Sequence, residues 1–379
     1  MLHIVAFDVP YPADYGGAID VFYKIKALHA ADVKITLHCF TYRDRQPNEA
    51  LNNFCEKVFY YKRNTSFFLQ FGTLPYIVSS RKHPDLIKNL CADDAPILFE
   101  GLHTCFFIDD KRLLDRKKMV RMHNVEWQYY KHLADTETNF LKKLFFSLES
   151  TKLKKFEEKI FFLAKKIFCI SHSDEKYFLE KKIFKKQVSE KKIIYLPPFH
   201  AETKVISKIG IGDYILYHGD LSVNDNIISA LELIENVFSK INTPCIIAGK
   251  SPNKKLITEI ALHENIQLEA NPDGEKMLSL IQNAHINILH TRHTSGMKLK
   301  LLHALFVGRF CFANSKMVRG TGLENLCEIY DSFEELKFMV SERMSAEWQQ
   351  KNIEERKAIL EKGFSNLKNA EIIIETLEG

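Results

Sequence analysis

The stretch Thr294–Leu305, TSGMKLKLLHAL, sets a glycine and two lysines at the start of a helix, directly after the apolar run His285–His290, HINILH. An unbroken apolar run of this kind reads as a strand buried on both faces, as in a parallel sheet. Ser295 is placed to cap the helix, and Gly296 and Met297 carry the backbone close to any ligand there. Lys298 stands on the first turn, where free N–H groups and the helix dipole favour an anion. Strand, glycine loop and helix N-terminus in this order make a cradle for a diphosphate. An ordinary capped helix with solvated lysines fits the same residues.

The pattern recurs near the other end of the chain. Residues 2–7, LHIVAF, read as a first strand, and Asp8–Gly17, DVPYPADYGG, as a turn-rich loop leading into a helix from about Ala18 to Ala30. Gly16 and Gly17 are positioned to place backbone amides against a phosphate, as glycine-rich first loops do in doubly wound folds. A plain turn uses the same glycines. Neither GxGxxG nor GxxxxGK[ST] occurs, so a dinucleotide fingerprint and a P-loop are both excluded.

A chain of 379 residues exceeds one ordinary core and suits two domains. The net charge of +5 is mild, which fits an acidic small molecule or a membrane surface better than nucleic acid. The 8 cysteines form no CxxC pair and several lie in strand-like runs, predicting buried reduced thiols and a cytoplasmic protein. Met1 runs directly into a strand without a leader pattern, and no apolar run has the length of a bilayer crossing.

Apolar β-prone runs alternate with helical periodicity at Leu2–Phe7, Lys34–Phe40, Lys57–Tyr61, Pro96–Glu100, Lys118–Met122, Lys166–Ile170 and Ile193–Leu196. A second series occupies Tyr214–His218, Pro244–Ala248, Ile266–Glu269, Ala284–His290, Arg309–Ala313 and Cys327–Tyr330. Such alternation predicts two parallel sheets with helices on both faces. Pro197-Pro198 breaks the pattern, so the reading is a first domain over 1–196, a linker over 197–212 and a second domain over 213–354. A C-terminal helix over about 355–379 returns to the first domain. Between them, Asn139–Phe168 mixes lysine and phenylalanine at helical spacing, which suits a surface helix with its apolar side in the core, or one lying on anionic lipid.

Taken in order, the loop YPADYGG, the turn RMHNVE (Arg121–Glu126), CISHSDEKYF (Cys169–Phe178), ILYHGDLSVNDN (Ile215–Asn226), IIAGKSP (Ile246–Pro252) and TSGMKLKLLHALFVGRF resemble the GT-B glycosyltransferases of family 4. The resemblance covers nearly the whole chain. It implies two Rossmann-like doubly wound domains facing across a cleft, and a retaining transferase that takes its sugar from a nucleotide-diphosphate donor. The acceptor it implies is a glycan or lipid-linked sugar of surface polysaccharide assembly; the lipid-lying reading of Asn139–Phe168 would add peripheral contact at the inner membrane face. Gly219, Lys250, Ser295, Gly296, Met297, Lys298 and His303 would hold the donor on the second domain, with Gly16 and Gly17 closing from the first. His123 would face the sugar as a catalytic contact, and Asn124 and Glu126 would lie toward the acceptor. On the residues alone, Asn124 caps the next helix, Glu126 favours its dipole and His123 merely ends a strand.

Two positions depart from the family pattern. His303 stands where a ribose-binding glutamate is usual, and an imidazole makes one hydrogen bond where a carboxylate accepts two. The arginine and lysine usual after the second domain's first strand are absent from GDLSVNDN, leaving the diphosphate to Lys298, Lys250, Arg292 and the backbone. A non-catalytic glycan-binding or partner subunit is therefore an alternative, and a nucleotide-sugar 2-epimerase another. Asp93-Asp94 and Asp109-Asp110 are not a DxD, and no His/Cys cluster has zinc spacing, so neither a metal nor a separate cofactor is predicted.

Overall fold

The computed structural model describes residues 1–180, 192–292 and 299–378. Each of the apolar runs becomes a strand. In the first unit, β1 (Leu2–Ala6), β2 (Ile35–Thr41), β3 (Lys57–Lys62), β4 (Ile97–Glu100), β5 (Lys118–Met122), β6 (Lys166–Cys169) and β7 (Ile193–Tyr195) form a sheet of order β3-β2-β1-β4-β5-β6-β7. In the second, β8 (Ile215–His218), β9 (Cys245–Gly249), β10 (Ile266–Ala270), β11 (Ile286–Leu289), β12 (Phe310–Asn314) and β13 (Glu328–Tyr330) form one of order β10-β9-β8-β11-β12-β13. All pairings are parallel.

Residue alternation explains the layering of the first sheet. Leu2, Ile4 and Ala6 of β1 join one core cluster with Leu98, Met119 and Phe168. Val5 faces the other way, into a cluster with Ile97, Phe99, Val120 and Ile167. Successive side chains of a strand point to opposite faces, so a strand covered on both sides carries apolar residues on both and needs a partner for any polar one. The Gly16–Ala30 helix and Ala370 and Ile373 of the Asn366–Glu378 helix cover the first face; Leu153, Phe156 and Ile160 of the Phe140–Leu163 helix cover the second.

The strand order reverses between β1 and β4 in one sheet and between β8 and β11 in the other. At such a point the connections leave to opposite sides and open a crevice beyond the carboxyl ends of the strands.

The division between units falls elsewhere than the composition suggested. Described residues up to Ala201 and from Phe364 onward form one compact unit, and those between Glu202 and Gly363 the other. Pro197–His200 is buried structure of the first unit: the Phe199 N–H donates to Asp20 Oδ1 at 2.8 Å, and Asn369 donates to the Pro197 carbonyl at 3.2 Å. The following residues are pinned within the second unit, Val205 N–H to Glu361 and Ile206 N–H to the Phe306 carbonyl. A helix Gln350–Gly363 belongs with the second unit, so only the Asn366–Glu378 helix returns to the first.

Candidate functional site

The crevice end of the first sheet collects four buried ionisable side chains and a half-buried histidine. Asp20 and Lys24 project from one face of the Gly16–Ala30 helix, four residues apart, Glu100 ends β4, Arg121 lies in β5, and His123 follows it. Lys24 Nζ donates to Asp20 Oδ2 at 3.0 Å and to both Glu100 oxygens at 2.7 and 2.9 Å. Arg121 donates to both Asp20 oxygens, at 3.3 and 3.1 Å, and to the carbonyls of Leu196 and Pro197. His123 Nε2 bonds Glu100 Oε2 at 2.9 Å while its Nδ1 lies 3.8 Å from Asp20 Oδ2.

Burial opposes the charged form of Asp20, but Arg121, Lys24 and His123 outweigh it and hold its carboxyl below the usual range. Glu100 is held low in the same way, burial being overcome by Lys24 and His123. Asp20, Glu100 and His123 offer oxygen and nitrogen atoms within 4.8 Å of one another, a donor set that suits a metal ion. Lys24 and Arg121 already sit on those carboxylates, so the cluster holds its cations as side chains.

Around this cluster, Gly101 adopts φ +69°, a conformation other residues rarely take, and a Cβ there would lie 2.8 Å from His103 Nδ1. That nitrogen is buried with no hydrogen-bond partner among the described residues. Burial, with Arg81 and His123 nearby, pushes the His103 imidazole well toward the neutral form. Both His103 and His123 pack against the Phe7 ring with centroids at 5.3 Å.

In the second unit the crevice lies past β8 and β11. Lys300, in the helix described as Leu299–Val307, sends its ammonium over the Tyr217 ring at 5.2 Å and toward two neutral acceptors, Asn226 Oδ1 at 3.4 Å and the His290 carbonyl at 3.3 Å. Burial lowers its pKa to about 8. His218, the last residue of β8, is 5% exposed, and its Nε2 has no hydrogen-bond partner among the described residues. Burial, with His303 and Lys300 beside it, keeps its ring neutral. The His303 ring lies 6.5 Å from that of His218, and its Nε2 is 3.4 Å from Glu202 Oε1. Gly249 closes the floor: a Cβ there would come within 1.9 Å of the Gly219 carbonyl, so only glycine lets β9 end against β8.

The residues singled out from sequence fare differently. Ser295, Gly296, Met297 and Lys298 lie outside the described residues. Gly16 and Gly17 open the first helix, where Tyr15 supplies no side-chain cap and Gly17 leaves the room that the Phe7 ring fills. Lys250 is exposed on the loop after β9, and Arg292 pairs with Glu232 at 3.6 Å. His123 turns both ring nitrogens toward carboxylates. Asn124 does not cap its helix, which begins at Glu126 with Val125 at the cap position. Glu126 is buried beside Glu157 and Asp174, and burial and that proximity raise its carboxyl to about 8.

Lys300, His218, Glu100, Asp20 and Lys24 were missed. Their signal is a charge inside an apolar pattern: Glu100 closes the run ILFE, and Asp20 and Lys24 interrupt the buried stripe Ala18, Val21, Ile25 and Leu28. A charge on a core-facing stripe requires a partner, which only the fold supplies.

No protein-family model matches the sequence. The chain is 25% identical over 343 residues to an "uncharacterized 44.6 kDa protein in cps region" of Klebsiella pneumoniae, covering 84% of each chain. Sucrose-phosphate synthase from Thermosynechococcus elongatus superposes with a TM-score of 0.68 at 14% identity, covering 100% of this chain and 98% of the other. Anabaena HepE in complex with UDP and glucose gives 0.64 at 10% identity, covering 100% and 99%. A glycosyltransferase from Rickettsia africae gives 0.61 at 13% identity, covering 100% and 97%. The fold is the GT-B architecture of glycosyltransferases, two Rossmann-like domains built on parallel sheets.

Proposed function

We propose that this GT-B chain transfers a sugar from a nucleotide-diphosphate donor, with retention of configuration, to a glycan or lipid-linked acceptor in surface polysaccharide assembly. The fold and the cps-region relative support the class of reaction. The observation that carries it to residues is Lys300, an enclosed cation whose acceptors among the described residues are neutral, at the crevice where doubly wound folds bind ligands. It reaches Asn226, in the segment where arginine and lysine are missing, and so supplies from a different helix the positive charge that segment lacks.

On this reading the donor diphosphate accepts from Lys300 and His218. Charge on the leaving diphosphate grows as the glycosidic bond breaks, so a fixed ammonium stabilises the transition state more than the ground state. With retention, the leaving phosphate oxygen takes the acceptor proton, and no side chain has to serve as base. His123 then orients: its hydrogen bond to Glu100, with the Asp20 carboxylate beside its other nitrogen, fixes the ring, and the acceptor meets its edge.

Isothermal titration with a panel of nucleoside diphosphates, UDP first, tests this. Wild type binds at least one, and Lys300→Met weakens that binding roughly 10- to 100-fold, the scale of a hydrogen bond to a charged group. Absence of heat with every nucleotide would replace the transferase by the binding-only subunit, and binding unchanged in Lys300→Met would move the diphosphate elsewhere.

A further inference from the structure

On the face of the first sheet that carries Val5, Phe40 and Tyr61 into the core, three neighbouring strands each set one polar ring among apolar residues. His3 of β1, His38 of β2 and Tyr61 of β3 are 1%, 0% and 3% exposed. Residues two apart on a strand share a face, and the register pairs Val5 with His38 and Phe40 with Tyr61, so the three rings lie on a diagonal across the sheet. One hydrogen-bonded chain joins them. Asp93 accepts from His3 Nε2 at 2.9 Å, and His3 Nδ1 lies 2.8 Å from His38 Nε2. His38 Nδ1 lies 2.8 Å from the Tyr61 hydroxyl, to which the Asn89 amide donates at 2.9 Å.

The end group fixes the direction of every link. Burial opposes the charge of Asp93, but the Ala95 N–H, His3 and Arg116 outweigh it and hold the carboxyl below its usual range. A carboxylate only accepts, so His3 carries its hydrogen on Nε2 and, when neutral, is bare at Nδ1. His38 must then donate from Nε2 and be bare at Nδ1, where Tyr61 donates, leaving the Tyr61 oxygen to accept from Asn89. Burial favours these neutral rings, lowering His3 from 6.5 and taking His38 down to about 3. One added proton reverses the whole order. With a second hydrogen at His3 Nδ1, His38 accepts at Nε2 and donates from Nδ1. The phenolic hydrogen of Tyr61 then turns to the side where the Asn89 amide stands, two donors face each other, and Asn89 has to flip or let go.

We propose that this chain is an acid-operated latch, in which one proton taken from water at His3 reverses every link and frees Asn89, loosening the Pro84–Leu90 helix from the edge strand β3. Asp93 favours a positive His3, whereas Arg116 and the Met1 amine oppose it. Asp85, the Cys39 thiol and the His83 ring, at 5.1 Å, are the other groups turned toward Tyr61 among the described residues. A base with its folded pKa lowered stabilises the closed chain above its unfolded value of 6.5, and that contribution is lost as pH falls below it.

Histidine-selective 15N labelling of the full chain reads the tautomers directly. At pH 7.5 His3 and His38 should both carry hydrogen on Nε2. On acidification His3 should become doubly protonated while His38 moves its hydrogen to Nδ1, with one shared midpoint below 6.5. Asn89→Ala removes a donor that only the neutral order uses, and should raise that midpoint by about 0.5–1 pH unit, the worth of one hydrogen bond. Asp93→Asn keeps an acceptor for His3 without the charge, and should lower it by about 1–3 pH units. Both positions are half-buried, so circular dichroism of each variant at pH 7.5 should match wild type. A hydrogen on His38 Nδ1 at pH 7.5, separate midpoints for the two rings, a midpoint unmoved in Asn89→Ala, or unfolding before His38 changes tautomer would each overturn the proposal.

Discussion

Lys300 is an enclosed cation in the ligand-free protein, and its pKa of about 8 carries a definite pH signature. A base with its folded pKa lowered contributes stability above its unfolded value near 10.5, and that contribution is lost as pH falls through 8. Lys300→Met should therefore raise the melting temperature of the ligand-free protein more at pH 7 than at pH 10. The difference should be roughly 2–8 °C, taking about 2–4 °C for each kcal/mol in a domain of this size. A saturating nucleoside diphosphate should reverse the order at pH 7, because only wild type retains the ammonium. Equal melting curves for the two proteins at both pH values would mean that Lys300 is solvated. The lysine of the first unit behaves oppositely. Lys24→Met leaves Asp20 and Glu100 buried without their shared cation, and should destabilise the first unit by about 3–5 kcal/mol in urea denaturation. Adding Glu100→Gln should recover part of that loss, and strict additivity would argue against the pair. Neither lysine could be assigned its partner from the chain alone. Glu100 lies 76 residues from Lys24, and Lys300 reads as a solvated helix residue beside Lys298 until its ammonium is placed over Tyr217.

Elements were far more legible than residues, and for a physical reason. A strand covered on both faces is apolar at most of its positions, so runs such as ILFE and HINIL declare themselves without knowledge of their neighbours. A helix start is a weaker signal, because the polar residue before it can serve another element. Beside the acceptor-side role that the resemblance implies, the residues alone allow Asn124 to cap the helix and Glu126 to face its dipole. The structure instead buries Glu126 against Glu157 of the Phe140–Leu163 helix and Asp174 of the His172–Glu180 helix, with the Asn124 side chain bonded to it. An acid with its folded pKa raised contributes stability below its usual value near 4.5, and that contribution is lost as pH rises through about 8. Glu126→Gln should leave the melting temperature nearly unchanged at pH 5 and raise it by a few degrees at pH 9. A gain at pH 5 equal to that at pH 9 would show that the side chain is not protonated in the folded state.

At the scale of the molecule, the described residues of the second unit all fall between two parts of the first. Described residues between Glu202 and Gly363 contain the whole six-stranded sheet, while the first unit takes its last helix, Asn366–Glu378, from beyond them. A fragment spanning 202–363 should fold alone, with a cooperative melt and the nucleotide affinity of the full chain. A fragment spanning 1–201 should lack such a melt until a peptide of residues 364–379 is added. Ala370 and Ile373 are fully buried in its core, Asn369 holds the Pro197 and Pro198 carbonyls, and Lys117 reaches the carbonyls of Thr376 and Leu377. Cooperative unfolding of 1–201 without the peptide would remove the helix from the core. The two-sheet plan was readable from composition, whereas this boundary was not. Pro197-Pro198 looks like a linker, but its carbonyls satisfy Arg121 and Asn369, partners that lie 76 and 172 residues away.

The last helix also sets a timetable. During synthesis the first sheet leaves the ribosome complete in its strands, yet the apolar face that Ala370 and Ile373 will cover stays bare while the whole stretch of residues 202–363 is translated. At about 5–20 residues each second, that interval is roughly 10–30 s. The nascent chain therefore finishes its second-made unit before its first-made one, and in the meantime the apolar surface beside the Gly16–Ala30 helix stays open to whatever holds unfinished chains. Ribosomes that stall anywhere within that stretch would release a product marked by that surface, already recognisable as incomplete to the machinery that clears it.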